Sequence, residues 1–463
     1  MTKTTQPIFG KVRRIHMVGI GGIGMSSIAD ILLEWGMEVS GSDLTSGEIT
    51  RRLEKRGAKI FVGHDAAQIG EVDVVVHTSA VDADKNPETR AANSRGIPVI
   101  NRAEMLAALT RRKFGVAIAG THGKTTTTTL AGHVVRAGDL DPTIIVGGRV
   151  NGFEASNAVA GKGDVVVVEA DEFDRTFLKL TPSIAVITNI EWEHVDIYAD
   201  LQDTRDAFVE FADQVPFYGA VIVCVDDPEV RKILPRLQAR ALTYGTGEEA
   251  ALRAVEISEQ GFLSRFAVEF DGQRLGEVEL KAPGIHNVRN ALAAVGVGLE
   301  LGMDFDDIRR GLSQYTGVLR RFHRRADVGG VLVIDDYAHH PTEVRATLQA
   351  AKKGWPERRI VAAFQPHLYS RTKKFYREFG EALSMADLVV VTDVYPAREE
   401  PIEGVEGSLV ADAVGDTAQV VYVPDKTTLA ARLVELTRPG DLVLTMGAGD
   451  ITKVGGEFAR LNA

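Results

Sequence analysis

A chain of 463 residues that is 44% hydrophobic and 25% charged can bury about three cores, a balance that excludes fibrous and intrinsically disordered classes. Its formal net charge of -11 argues against a general nucleic-acid binder, which needs a basic face, though it leaves room for a local basic pocket for phosphates. The single cysteine, Cys224, lies in the apolar run 221–225, which excludes an intramolecular disulfide and fits a reducing cytoplasm. Residues 1–10 lack the apolar core of a secretory signal, and no uninterrupted apolar stretch approaches the ~20 residues of a membrane helix.

The first hundred residues alternate strand and helix. A predicted strand over 14–18 runs into Gly19-Ile20-Gly21-Gly22-Ile23-Gly24, followed by a helical pattern over 25–35 and a strand over 38–43. Gly19, Gly21 and Gly24 satisfy the dinucleotide fingerprint G-x-G-x-x-G, with the acidic Asp43 about 20 residues further on. Such a loop brings a diphosphate to a helix N-terminus but does not say whether the nucleotide carries nicotinamide, flavin or a sugar, so an NAD-dependent oxidoreductase is the first rival reading. Predicted strands at 59–62 and 73–77 continue the alternation. Ser79 sits just past the second of them, where open parallel sheets place ligand contacts. A strand at 98–100 and a helix over 102–112 close the unit.

The apolar run 116–119 leads into Gly120-Thr121-His122-Gly123-Lys124-Thr125-Thr126, which reads as a phosphate-binding loop. In the general pattern G-x-x-x-x-G-K-[ST] the first glycine would fall at Ile118. Here it is Gly120, so the loop is a variant. Lys124 is placed to reach the outer phosphates as a point charge and the Thr125 hydroxyl to ligate magnesium. The run Thr125 to Thr129 consists of poor helix formers that a purely structural helix start does not need. A predicted strand over 164–168 ends in Glu169-Ala170-Asp171-Glu172, and an acid at a strand end beside a phosphate loop is a magnesium position, assigned to Glu169. The strand 184–188 ends in Asn189-Ile190-Glu191-Trp192-Glu193-His194, making His194 a metal or substrate candidate. Shorter strands at 221–225, 266–270 and 278–280 suggest an accessory sheet. His286, Asn287 and Asn290 then fall on one helical turn, where amide side chains can read a base edge.

The last third repeats the plan. A strand from 331 ends in Asp335-Asp336-Tyr337-Ala338-His339-His340-Pro341, with Pro341 opening the next helix, and a strand over 359–364 leads to His367 and Arg371. Strands at 388–391, 419–422 and 442–445 complete a predicted parallel sheet. The chain is therefore expected to be α/β with three domains: an N-terminal Rossmann-like domain (1–112), a central P-loop ATPase-like parallel sheet with accessory strands (113–322), and a C-terminal Rossmann-like domain (323–463).

Together, Gly120-Thr-His-Gly-Lys-Thr-Thr-Thr, Glu169-Ala-Asp-Glu, Thr188-Asn-Ile-Glu with His194-Val-Asp, His286-Asn with Asn290, and Asp336-Tyr-Ala-His-His-Pro closely resemble the ATP-dependent Mur ligases over nearly the whole chain. The opening Gly19-Ile-Gly-Gly-Ile-Gly24-Met-Ser and the segment Phe364-Gln-Pro-His with Arg371 are similar to the alanine-adding branch of that family. The resemblance implies UDP-N-acetylmuramate and L-alanine as substrates, ATP and Mg2+ as cofactors, and the three domains as UDP-sugar, ATP and amino-acid domains in that order. It implies that Gly21, Gly22, Gly24, Asp43 and Ser79 face the UDP-sugar. It also implies that Gly120, Thr121, His122, Gly123, Lys124, Thr125 and Thr126 hold phosphate, with His286, Asn287 and Asn290 toward adenine and Asp336 in the ATP ribose region. Arg321, His339 and Arg371 would meet substrate carboxylates or phosphates, and Lys124, His194, His339 and Arg371 would carry catalysis. Two magnesium ions are implied, one near Thr125 and Glu169 and one near His194. In the implied chemistry the UDP-sugar carboxylate attacks the γ-phosphorus of ATP and the neutral amine displaces phosphate from the acyl phosphate.

Three departures are visible. No lysine lies between Lys179 and Lys232, where relatives adding later residues carry a carbamylated one; Phe208 is near that place, which favours the alanine-adding branch. Leu368 stands where some relatives have arginine, and Glu191-Trp192-Glu193 replaces a commoner Glu-Pro-Asp. A recycling ligase for a preformed peptide, an NAD-dependent oxidoreductase and a non-catalytic UDP-sugar sensor are the alternatives. A cytoplasmic monomer or weak homodimer without nucleic-acid partner or membrane insertion is expected.

Overall fold

The computed structural model describes residues 9–147, 158–193, 197–397, 399–415 and 418–462, and its strands form three sheets. The first is built from β1 (Arg14–Val18), α1 (Ile23–Glu34), β2 (Glu38–Asp43), α2 (Glu48–Lys55), β3 (Lys59–Val62), β4 (Val74–His77), α3 (Pro87–Ser94), β5 (Val99–Asn101) and α4 (Arg102–Thr110). Its strand order is β3-β2-β1-β4-β5, with every neighbour parallel. The reversal between β1 and β4 opens a crevice at their C-terminal ends, the place where such sheets bind nucleotides. Local chemistry sets the helix limits. Asn86 caps α3 through the N–H groups of Glu88 and Thr89, with Pro87 at the first helical position. Asn101 and Glu104 form a reciprocal capping box at the start of α4.

The second sheet contains β6 (Phe114–Ala119), β7 (Thr143–Ile145), β8 (Ala158–Val159), β9 (Val165–Glu169), β10 (Ile184–Ile187), β11 (Ala220–Cys224), β12 (Ala241–Gly245), β13 (Leu252–Gln260), β14 (Leu263–Phe270) and β15 (Gln273–Leu280). Its order is β15-β14-β13-β12-β11-β10-β6-β9-β7-β8. Helices α5 (Lys124–Ala137), α6 (Leu201–Ala212), α7 (Pro228–Ile233), α8 (Ile285–Glu300) and α9 (Phe305–Ser313) accompany it. Because β6 runs parallel between β10 and β9, the loops leaving all three strands emerge at one edge. Phe208 is fully buried, edge-on to Phe177, which also stacks on Phe211. That position is thus a core aromatic, consistent with the missing lysine.

The third sheet comprises β16 (His323–Val328), β17 (Val331–Asp336), β18 (Ile360–Phe364), β19 (Leu388–Thr392), β20 (Gln419–Val423) and β21 (Leu442–Met446), in the order β16-β17-β21-β18-β19-β20. Its helices are α10 (Pro341–Gly354), α11 (Tyr369–Leu383), α12 (Gly407–Asp412), α13 (Leu429–Leu436) and α14 (Thr452–Leu461). The sheet is not wholly parallel, as the sequence suggested. β16 pairs antiparallel to β17 across a turn whose Gly329 and Gly330 have φ of +59° and +77°, conformations that favour glycine. His323-Arg-Arg-Ala-Asp-Val carries no apolar run, so hydrophobic periodicity does not reveal this edge strand.

By contacts the chain divides into two compact units. One is Met1–Val255, Val268–Gly276 and Arg289–Tyr315, containing the first sheet and most of the second; the other is Glu256–Ala267, Glu277–Val288 and Thr316–Ala463, containing the third. Among the described residues no helix is long and apolar enough to cross a membrane.

Candidate active site

The loop from β6 to α5 is held on both flanks by the segment after β10. His122 donates its N–H to Asn189 Oδ1 (2.7 Å), Asn189 Nδ2 returns a bond to His122 O (3.0 Å), and Thr188 Oγ1 donates to the same carbonyl (2.6 Å). Thr121 Oγ1 accepts from Glu191 N (2.8 Å), and His122 Nε2 lies 3.1 Å from Glu191 Oε2. Both glycines are required. Gly120 has φ +137° and a Cβ there would lie 2.0 Å from Thr188 Oγ1; Gly123 has φ +82° and a Cβ there would lie 2.6 Å from Asn290 Oδ1. The close approach of Asn290 brings the start of α8 to the loop, the one adenine candidate seen beside it within this unit.

The threonine run forms the first turns of α5. Thr128 and Thr129 turn their hydroxyls back onto the carbonyls of Lys124 and Thr125, each at 2.8 Å, so these residues satisfy themselves inside the helix. Lys124 Nζ donates to Gly120 O (2.7 Å) and Thr121 O (3.0 Å) and pairs with Glu172 Oε2 at 2.7 Å, with side-chain exposures of 13% and 2% for the lysine and the glutamate. Burial works against the ammonium charge, but the carboxylates of Glu172, Asp171 and Glu169 outweigh it and raise its pKa. Glu172 is a functional candidate that sequence reasoning passed over in favour of Glu169. Its signal was a second carboxylate in the same acidic turn. Tyr198 Oη donates to the Glu172 carbonyl (2.7 Å) and carries the Arg175 guanidinium over its ring at 4.6 Å.

The expected magnesium position is an all-oxygen pair. Thr125 Oγ1 donates to Glu169 Oε1 (3.0 Å), while Glu169 Oε2 accepts from Gly147 N (2.7 Å). Burial raises the Glu169 pKa, opposed by the Gly147 N–H and Lys124. A hydroxyl and a carboxylate at a strand end are hard donors that suit magnesium, so these residues fit the ion. His194 lies outside the described residues.

In the first sheet, the glycine loop hangs from the end of β2. Gly19 N and Ile20 N both donate to Ser42 O (2.8 and 3.0 Å), and Gly21 N donates to Asp43 Oδ2 (2.8 Å). Asp43 therefore shapes the loop, rather than pointing a free carboxylate outward. Gly22 is the N-cap of α1, and a Cβ on Gly24 would lie 3.0 Å from Arg102 Nη1. Ser79 is exposed beyond β4.

The second unit gathers the candidates after β17 and β18. Asp336 accepts from Phe322 N (2.7 Å) and Ala338 N (2.8 Å); burial pushes its carboxyl up to about 6, against the pull of Arg321. Arg321 pairs with Glu343 (3.2 Å) and lies over the Tyr337 ring, and His339 N donates to Glu343 Oε2 (3.0 Å). Arg371 Nη1 approaches His367 Nδ1 at 3.3 Å, and His367 stacks on Tyr395 with centroids 5.7 Å apart. Burial and then Arg371 and His339 depress the His367 pKa to about 4, leaving it a neutral imidazole at pH 7. Glu343 was given no role from sequence because a helical glutamate carries no pattern, and His367 entered only as part of the Phe364-Gln-Pro-His segment, without a role of its own. Leu368 has φ +69° and accepts the Thr372 hydroxyl on its carbonyl (2.7 Å), so this position turns the chain into α11. Asn287 Nδ2 donates to Pro283 O (2.7 Å), a bond within its own helix start. His286 lies against Gly284, where a Cβ would be 2.4 Å from His286 Cε1.

Three mainly parallel sheets, one carrying a phosphate loop with a buried lysine and an adjoining hydroxyl–carboxylate pair, define an α/β enzyme of the nucleotide-dependent class. Residues 14–114 match the Mur ligase family catalytic domain, 118–298 the Mur ligase middle domain, and 320–449 the Mur ligase glutamate ligase domain. The chain belongs to the Mur ligase family. It is 56% identical over 459 residues to a UDP-N-acetylmuramate–L-alanine ligase of Salinibacter ruber, covering 99% of this chain and 96% of that one. It is 49% identical to the protein of the same name from Geotalea daltonii, over 97% of this chain and 98% of that one. Among solved structures it resembles the UDP-N-acetylmuramate-alanine ligase of Thermotoga maritima, with a TM-score of 0.78 and 33% identity over 97% of this chain and 98% of that one. It also shares the fold of a murein peptide ligase from Psychrobacter arcticus, with a TM-score of 0.66 and 24% identity over 96% of this chain and 98% of that one.

Proposed function

We infer that this protein is an ATP-dependent ligase that joins L-alanine to the lactyl carboxylate of UDP-N-acetylmuramate, a step of peptidoglycan precursor synthesis. The observation that carries this reading is identity of 56% and 49%, across nearly the whole chain, to relatives of that name. In this reading residues 1–112 take the UDP-sugar, 113–322 take ATP and 323–463 take the amino acid. The loop N–H groups and Lys124 hold the phosphates and oppose the charge that develops as the γ-phosphoryl group passes to the carboxylate. Thr125 and Glu169 would hold magnesium, which supplies further charge neutralisation at the phosphates. Asn290, with His286, faces adenine; Arg321, His339 and Arg371 orient the anionic groups of the substrates. The cytoplasm is its compartment, as a monomer or weak homodimer. The test is ADP release from purified protein with ATP and magnesium. Release that requires both UDP-N-acetylmuramate and L-alanine is expected. Release driven equally well by a preformed peptide, or nicotinamide binding without ADP release, would overturn the assignment.

A further inference from the structure

The first sheet holds a buried polar cluster that none of the proposed chemistry uses. Glu88, in the first turn of α3, is 0% exposed, as are His16 on β1 and Ser42 on β2. Glu88 Oε1 lies 3.1 Å from His16 Nε2, and Oε2 accepts from Ser42 Oγ (2.6 Å) with His64 Nδ1 at 2.9 Å. With its amide nitrogen turned inward, Gln68 donates to Oε1 at 2.8 Å. His16 Nδ1 meets Ser40 Oγ at 2.9 Å. Burial opposes the carboxylate charge, but His16, Ser42 and His64 outweigh it, and Glu88 remains a carboxylate below the usual range.

A buried carboxylate satisfied by this many donors fixes whatever it holds. What it holds through Ser42 is the glycine loop, because the carbonyl of Ser42 accepts from Gly19 N and Ile20 N, and the next residue, Asp43, accepts from Gly21 N. We propose that Glu88 is a positioning residue for the sugar nucleotide: its bond to Ser42 locks the end of β2, and that strand end sets the shape of the diphosphate loop. The proposal rests on reading Gly19 to Gly24 as the UDP-sugar loop, and the experiment separates the two.

Titration calorimetry with UDP-N-acetylmuramate, ATP kinetics and thermal melts are measured for Ser42→Ala, Glu88→Gln, Gln68→Ala and Gly21→Ala. Ser42→Ala is the second route should Glu88→Gln fail to fold. Gly21→Ala, whose Cβ would lie 2.8 Å from Asp43 Oδ2, tests the loop itself. Gln68→Ala removes a donor on the other carboxylate oxygen and leaves the Glu88–Ser42 bond in place. Ser42→Ala and Glu88→Gln are expected to weaken UDP-N-acetylmuramate binding about tenfold, because a loosened loop must be re-ordered on binding at a cost bounded by the charge-assisted hydrogen bond that is lost. In the same variants KM for ATP should stay within about twofold, and Gln68→Ala should lower the melting temperature without a matching loss of binding. If Gly21→Ala weakens binding but Ser42→Ala and Glu88→Gln do not, the proposal is overturned. It is equally overturned if all variants lose affinity only in proportion to melting temperature. If Gly21→Ala binds normally, the loop is not the UDP-sugar site and the underlying reading fails instead.

Discussion

Lys124 and Glu172 constrain each other more tightly than a phosphate-binding lysine in an open loop would. The pair is nearly inaccessible to solvent, and removing one member of such a pair leaves a charge buried without compensation, at about 3–5 kcal/mol. Lys124→Ala is therefore expected to lose both turnover, by a factor on the order of 10² to 10³, and stability. Adding Glu172→Gln should restore most of the melting temperature and none of kcat. If the single variant keeps wild-type kcat, Lys124 does not serve the transferring phosphate. A second titratable group acts on stability alone. His133, on α5 with its ring edge-on to Tyr315, is depressed from 6.5 to about 4 by burial and then by Arg136. Its folded pKa lies below the unfolded one, so the stability it contributes is complete above pH 6.5 and is lost as pH falls toward 4, at most about 3 kcal/mol. Denaturant melts between pH 7 and pH 4 should show a smaller acid loss in His133→Leu than in the parent; parallel curves would contradict the assignment.

At the scale of elements, the phosphate loop depends on a backbone that only glycine provides comfortably. Gly123→Ala meets both a left-handed φ of +82° and Asn290 Oδ1 at 2.6 Å, so the start of α5 or α8 must shift. KM for ATP should rise at least tenfold while UDP-N-acetylmuramate still binds, and an unchanged KM would show that the loop tolerates the shift. Elements like this one were legible in the sequence because their signals are local: Gly120, Gly123 and Lys124 bracket a turn, and Val165 to Val168 read as a buried strand. The polar strand β16 and the short β7 and β8 were not legible, since their pairing is decided by neighbours far along the chain. The same holds for the site. Lys124 and Glu169 announced themselves by motif, whereas Glu172 gains its place only through the fold that presses it on Lys124, and Glu88 only through contacts with His16, Ser42, His64 and Gln68.

For the whole molecule, two compact units predict departure from a single all-or-none melt. The unit containing both the glycine loop and the phosphate loop should be stabilised by UDP-N-acetylmuramate. Ligand at a hundred times Kd contributes about 2.7 kcal/mol, which shifts a unit of roughly 290 residues by about 4 °C. NAD at the same excess should leave calorimetric transitions unmoved; a shift by NAD alone would restore the oxidoreductase reading. The path of the chain between these units has a consequence for its synthesis. The chain leaves the first unit after Val255, re-enters it at Val268, leaves again after Gly276, returns at Arg289 and departs finally after Tyr315. A ribosome that has delivered Val255 has therefore not delivered a finished unit, and at about 5–20 residues per second the remaining ~60 residues keep it waiting for seconds. Nor does any single cut release the second unit whole: a fragment starting at Thr316 lacks Glu256–Ala267 and Glu277–Val288. Recombination by one crossover after Tyr315 therefore passes on the first unit whole but splits the second, whose segments Glu256–Ala267 and Glu277–Val288 stay behind with the first.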